Sequence, residues 1–260
     1  MSAWADRKWL SRPEELPPPP SSVTEMYEVH LAMQTHALAR DSLGGHCGYK
    51  IGAVGAEGEP CLYAPLFGEF IVEERGRSGS RPLSSSSIQL HQVEPEFVVA
   101  MAEDLPARSD GQPHSSAEVW SKIDHIALSI ECCGQRATPS AIEATTRLGK
   151  FQDALSAGGV VLGKRLHAKY TDGGALSECP TSLAVNGEIV AEGSGAACPE
   201  GGPVGALGWL ANHLNARGLM LRKGQVVATG MTCIRRDLSV GDVVVAGFGT
   251  LGKVEMVVEP

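Results

Sequence analysis

Long hydrophobic runs are absent: no stretch of the 260 residues approaches the roughly 18 uninterrupted apolar positions of a membrane helix. A basic stripe is absent too. Lys and Arg number 22 against 30 Asp and Glu, for a formal charge of -8, so nothing is arranged to neutralise a nucleic-acid backbone. None of the seven cysteines forms C-x-x-C, which argues against a zinc knuckle or a dithiol redox motif. Their odd number, in a chain of this size, also disfavours a disulfide framework. These absences lead us to expect a reduced, cytoplasmic protein with no membrane and no nucleic-acid partner. Residues 1–12 lack the apolar core of a secretory signal. Arg7, Lys8 and Arg12 hint at a transit peptide, but Asp6 and the short length weigh against one.

What is present has the texture of one globular domain with a short accessory segment. Pro17 to Pro20, then Ser21 and Ser22, form a stiff polar stretch that cannot be helical. We therefore divide the chain into a Pro/Ser-rich tail (1–22), an N-terminal helical segment (23–45) and a main domain (46–260). Ser22 or Thr24 is a plausible N-cap. Met26, Val29, Met33 and Ala37, with Leu31 and Leu38, recur at helical spacing as far as Gly44-Gly45. From Cys47 onward the sequence reads as short β-like runs at 49–51, 88–90, 97–101, 126–130 and 160–162, with a Ser-rich loop at 75–87. Asn186-Gly187 between two apolar runs signals a type I′ hairpin. A second helix is expected from Pro203 to Gly218, followed by strands at 226–228, 243–246 and 254–258. Helices and strands do not alternate, so the fold class is a β-rich α+β domain rather than a doubly wound sheet.

The segment from His91 to Ala100 carries the chemistry. Side chains alternate along a strand, so Glu94 and Glu96 share a face, roughly 7 Å apart at Cα. Two like charges there repel unless a cation sits between them. The alternation of Ile126, Leu128 and Ile130 with Ala127, Ser129 and Glu131 places Glu131 opposite the apolar face, at a strand end. Three carboxylates make a hard oxygen site suited to Mg²⁺ or Mn²⁺. The competing reading is a solvated strand edge with an unrelated surface glutamate. Lys50, in a short apolar strand, needs water or an anion. Cys132-Cys133 reads as two small buried hydrophobes. His30 and His36 do not share a helix face, Gly193-Ser194-Gly195 reads as a tight loop, and Asp237 and Asp242 as turn residues.

Taken in order, several segments resemble the 2-keto-4-pentenoate hydratase group of the fumarylacetoacetate hydrolase superfamily. They are Gly48-Tyr49-Lys50-Ile51-Gly52, Pro65-Leu66-Phe67-Gly68, Val93-Glu94-Pro95-Glu96, Glu131 with Arg136, Asp153-Ala154-Leu155-Ser156, Gly208 to Asn212, Thr229-Gly230 and Gly241-Asp242. The resemblance implies a β-rich mixed-sheet roll behind a small helical segment, assembled into ring-like homo-oligomers. It implies that Glu94, Glu96 and Glu131 hold the metal, that Lys50 stands near the substrate, and that Ser156 lies close to the carboxylate of a small anionic 2-oxo acid. Departures accompany it. Ile71-Val72-Glu73-Glu74 stands where the family often has an Asp pair, D-A-L-S replaces D-N-A-S, Gly134-Gln135 replaces a usual Asp-Ser, and the stretch between Gly52 and Pro65 is shortened.

The implied chemistry is a metal-stabilised enolate serving a hydratase-like lyase. Lys50, its pKa lowered by the metal and by burial, would supply charge or a proton, and Glu73 and Asp153 are the candidate catalytic carboxylates. Decarboxylation of a 2-oxo diacid passes through the same enolate and is the alternative. A C–C hydrolase ranks below both, because Glu59 and Glu69 lack the neighbouring His of a water-activating pair. A non-catalytic metabolite-binding descendant is the remaining reading.

Overall fold

The computed structural model describes residues 16–36, 44–52, 61–74, 89–135 and 137–259. The first helix, α1 (Val23–Thr35), begins where Ser22 stays extended and its side chain accepts the Glu25 N–H, satisfying a donor the helix cannot. Met26, Tyr27, His30 and Met33 form the buried stripe, the spacing of a one-sided helix. The helix ends earlier than its apolar pattern suggests, because His36 turns to extended backbone. The continuation to Leu38, and the expected loop at 75–87, lie outside the described residues.

Among the described residues twelve strands follow: β1 (His46–Gly52), β2 (Leu62–Phe67), β3 (Ile71–Glu73), β4 (Leu90–Met101), β5 (Ile123–Gly134), β6 (Ala157–His167), β7 (Pro180–Val185), β8 (Glu188–Ser194), β9 (Val226–Ala228), β10 (Arg235–Arg236), β11 (Val243–Phe248) and β12 (Gly252–Val257). Among them lie the short helices α2 (Ser116–Ser121), α3 (Pro139–Ala144), α4 (Arg147–Phe151) and α5 (Gly173–Glu178), and the longer α6 (Pro203–Asn215). The larger sheet runs β2-β1-β9-β4-β5-β6-β3, with β10 also pairing β4; the smaller runs β12-β11-β7-β8. Pairings β1–β9 and β3–β6 are parallel and the rest antiparallel, so the fold is a mixed-sheet α+β architecture, as the sequence led us to expect.

The two sheets meet where the Phe97 ring of β4 stands edge-on to Phe248 of β11, centroids 5.2 Å apart. Beyond its first three residues β4 is buried on both faces, and β5 is buried from Ile126 to Gly134. The buried spans of these central strands are mostly apolar, and a charge within those spans lies inside the protein. The hairpin β7–β8 turns through Asn186 (φ 52) and Gly187 (φ 89), the two left-handed residues a type I′ turn requires. Asn186 Nδ2 donates to Asp242 at 2.8 Å, and Val243 N donates back to Asn186 Oδ1 at 3.0 Å, tying the turn to β11.

Candidate metal centre

Antiparallel register sets Glu94 of β4 directly opposite Glu131 of β5, Glu96 opposite Ser129, and Gln92 opposite Cys133. Alternation then puts Gln92, Glu94 and Glu96, together with Ser129, Glu131 and Cys133, on one face of the β4–β5 ladder. Glu94, Glu96 and Glu131 are buried, Glu96 completely. This differs from a solvated strand edge, and Glu131 lies three residues inside the end of β5. Lys50, on β1, reaches the same place: its Nζ lies 2.5 Å from Glu131 Oε1 and donates to the Leu155 carbonyl at 3.2 Å. The anion that a lysine in an apolar strand needs is thus Glu131.

The electrostatics follow from burial. The Glu94 carboxyl is pushed up to about 7 by desolvation and by the charge of Glu131, with Lys50 opposing. Glu96 is held well above the usual carboxylate range by desolvation and then by Glu131 and Glu94, whose fields add. For Lys50, burial alone lowers the pKa, as the sequence suggested. The acidic groups of Glu131, Cys133, Glu94 and Glu96 outweigh it, so the net shift is upward and the ammonium is retained.

Three carboxylates face a single ammonium. Glu96 Oε1 and Glu131 Oε2 are buried without a hydrogen-bond donor, an arrangement that costs free energy unless a proton or a cation satisfies them. A divalent ion that prefers oxygen donors, Mg²⁺ or Mn²⁺, fits this set. The surroundings hold the glutamates in place. Gly230 N donates to Glu96 Oε2 at 3.1 Å from a backbone at φ 103, where a Cβ would stand 2.7 Å from Pro199 Cδ; only glycine fits there without strain. Ser129 Oγ donates to the Glu96 carbonyl at 2.8 Å, and the Gln92 amide donates to Glu94.

The other candidates fall at different distances from this centre. Ser156 is half-buried and follows Leu155, whose carbonyl meets Lys50. Ala154, Leu155 and Ser156 all adopt left-handed backbone (φ 47, 52 and 60), a turn closed by Ser156 N donating to the Asp153 carbonyl at 2.8 Å. Asp153 is buried at the start of that turn, and its charge acts on His30. Glu73 lies at the far edge of the sheet on β3, where its carboxylate pairs with Arg165. Its neighbour Glu74 accepts the Glu255 N–H at 2.8 Å. Arg136 lies outside the described residues.

Pattern reading grouped Cys132 with Cys133, but the structure separates them. Cys132 packs in the core with its Sγ 3.5 Å from Met256 Sδ, whereas Cys133 faces Glu94 and Glu131. The signal was available, since Cys133 stands two residues from Glu131 on the same strand.

No family model matches the chain. The 2-keto-4-pentenoate hydratase of Burkholderia vietnamiensis is 31% identical over 167 residues, covering 64% of this chain and 59% of that protein, so the match spans little more than half of the relative's length. The 4-oxalocrotonate decarboxylase from Pseudomonas putida G7, complexed with magnesium and adipate, superposes with a TM-score of 0.78 at 20% identity, covering 96% of this chain and 93% of that one. Fumarylpyruvate hydrolase from Pseudomonas aeruginosa, in complex with Mn²⁺ and pyruvate, superposes with a TM-score of 0.57 at 15% identity over 81% of this chain and 88% of that one. The chain shares its fold with these solved structures and with a putative fumarylacetoacetate hydrolase family protein from Yersinia pestis, which superposes with a TM-score of 0.57 at 15% identity over 81% of this chain and 90% of that one.

Proposed function

We propose that this chain is a metal-dependent lyase of the fumarylacetoacetate hydrolase superfamily acting on a small 2-oxo acid, and that decarboxylation of a 2-oxo diacid is its preferred reaction. The observation that carries the reading is the burial of Glu94, Glu96 and Glu131 on one face beside Lys50, with oxygens of Glu94 and Glu131 within 4.8 Å of each other. These glutamates would hold a divalent ion, which when bound would supply positive charge to stabilise an enolate. Lys50 keeps a proton at Nζ, fixed between Glu131 and the Leu155 carbonyl, and is the group we assign to protonate the enolate or balance its charge. Ser156 is assigned to the substrate carboxylate. Asp153 has a supporting part, opening the turn that presents the Leu155 carbonyl.

Decarboxylation is favoured over hydration for a chemical reason. Both reactions use the enolate, but hydration also needs a base to activate water. Glu73 and Glu74, at the position where the family often has an Asp pair, are engaged by Arg165 and by the Glu255 N–H. The match to a decarboxylase over nearly the whole chain points the same way. Hydration is the second reading, supported by the hydratases among the sequence relatives.

The test is turnover of 4-oxalocrotonate and of 2-hydroxypenta-2,4-dienoate with Mg²⁺ or Mn²⁺, following CO₂ release and loss of dienoate absorbance, with chelator and Glu96→Gln as controls. CO₂ from the diacid supports the proposal. Turnover of the dienoate alone selects the hydratase. Turnover that survives chelator and Glu96→Gln removes the metal from the account, and inertness toward both substrates removes the enzyme.

A further inference from the structure

Glu94, Glu131 and Cys133 each present one donor atom, and these three atoms lie within 4.8 Å of one another. Two donors on one ion can be no farther apart than the sum of their bonds, about 4.5 Å for a sulfur and an oxygen on zinc. The three atoms therefore span roughly one coordination sphere. All three side chains are buried. The carboxylate oxygens without a hydrogen-bond donor, Glu131 Oε2 and Glu96 Oε1, independently mark the place as one where the Lys50 ammonium does not balance the acids around it. The Gln92 amide donates to Glu94 and, at 3.9 Å, faces Cys133 Sγ, bracing both toward the same point. Glu96, the third carboxylate, bears on this group through Glu131.

We propose that Cys133 is a donor to the ion held by Glu94 and Glu131, so that the centre binds borderline divalent ions such as Co²⁺ and Zn²⁺ through a sulfur–metal bond and prefers them to Mg²⁺. The inference rests on the carboxylate metal reading and adds to it the identity of a fourth donor. The chemistry is that of ligand softness: carboxylates alone suit Mg²⁺ and Mn²⁺, and a thiolate moves the preference toward zinc and its neighbours. Forming the bond replaces the thiol S–H by S–metal, and the proton leaves to the buffer.

The test uses the full chain, stripped of metal by a chelator that is then removed, and titrated with Co²⁺ alone in a thiol-free buffer. The wild-type protein should develop a near-ultraviolet sulfur-to-cobalt charge-transfer band that saturates at one ion per chain. Cys133→Ser, and Cys133→Val as a second variant of similar volume, should lose the band but still bind Mn²⁺ by electron paramagnetic resonance. Their Co²⁺ affinity should fall at least about tenfold, the lower end of what loss of even an outer metal partner costs. If wild-type protein binds Co²⁺ without the band, Cys133 is no ligand and the carboxylate centre stands alone. A band that survives Cys133→Ser and vanishes in Cys198→Ser overturns the inference in favour of another thiol. If neither Co²⁺ nor Mn²⁺ binds the wild-type chain, the carboxylate reading falls with it.

Discussion

Lys50 Nζ and Glu131 Oε1 stand 2.5 Å apart with both side chains shielded from solvent, and this pair sets the charge balance of the β4–β5 face. Removing the ammonium leaves Glu131 as a buried charge opposite Glu94. In chelator, Lys50→Met should therefore lose about 3–5 kcal/mol of stability, the usual cost of breaking a buried pair. Mn²⁺ should restore part of it. Urea unfolding with and without Mn²⁺ measures both quantities, and a loss below about 1 kcal/mol would mean that the pair is structurally idle.

Glu94 and His30 titrate in overlapping windows with opposite sign. The Glu94 carboxyl, raised from 4.5 to about 7 mainly by burial, keeps its proton in the folded chain where an unfolded glutamate has lost it. The folded state then binds more protons, so this contribution to stability falls as pH rises from 4.5 through about 7. Glu94→Gln in chelator should remove that decline, seen in the thermal midpoint at pH 5 against pH 7.5. A wild-type profile that matches the variant's would contradict it.

His30 behaves the other way. Complete burial lowers it from 6.5 to about 4, while its Nε2 meets the Phe151 carbonyl at 3.1 Å. The folded chain binds fewer protons here, so the contribution is fully present above 6.5 and is lost as pH falls from 6.5 through about 4. The total is on the order of 3 kcal/mol. The two slopes oppose, so each variant should tilt the profile its own way between pH 5 and 7. Relative to wild type, His30→Leu should make stability fall more with rising pH, and Glu94→Gln should make it rise more. Parallel profiles for the two variants would refute the assignment.

Glu73→Gln separates the two lyase readings. With Glu73 held by Arg165 at the β3 edge, diacid decarboxylation should keep kcat within about threefold. A loss of about 100-fold, the scale of a missing general base, would restore Glu73 to the chemistry and favour hydration.

Ala154 offers a test of stored strain. Its φ of 47 places an L-residue with a Cβ in the left-handed region, which costs roughly 1–2 kcal/mol. Ala154→Gly should recover part of that, raising the urea midpoint while leaving Mn²⁺ binding unchanged. A lower midpoint would show that the buried methyl contributes more than the backbone strain costs.

Much of the centre was legible because strand alternation is a strict rule. It put Glu94 beside Glu96 from one short segment, and the same rule applied from Glu131 reaches Cys133. The sequence pattern hid Cys133 because two adjacent cysteines look alike, although one faces Met256 and the other two carboxylates. For Lys50, burial is local and visible in the apolar strand, whereas the acids that raise its pKa come from β4 and β5, far away in sequence. Glu73 looked available because its partner, Arg165, lies on β6, brought alongside only by the parallel β3–β6 pairing. The early end of α1 arises at His36, where no glycine or proline marks the exit.

The left-handed run from Ala154 to Ser156 has a consequence for how such a chain can diverge. Three successive residues in that conformation aim one carbonyl at one ammonium, and inserting or deleting a single residue would swing the carbonyl away. The segment is therefore intolerant of length change, though its side chains can still be exchanged. Under the proposed function, a new substrate preference arises more readily by exchanging those side chains than by changing the length of the segment.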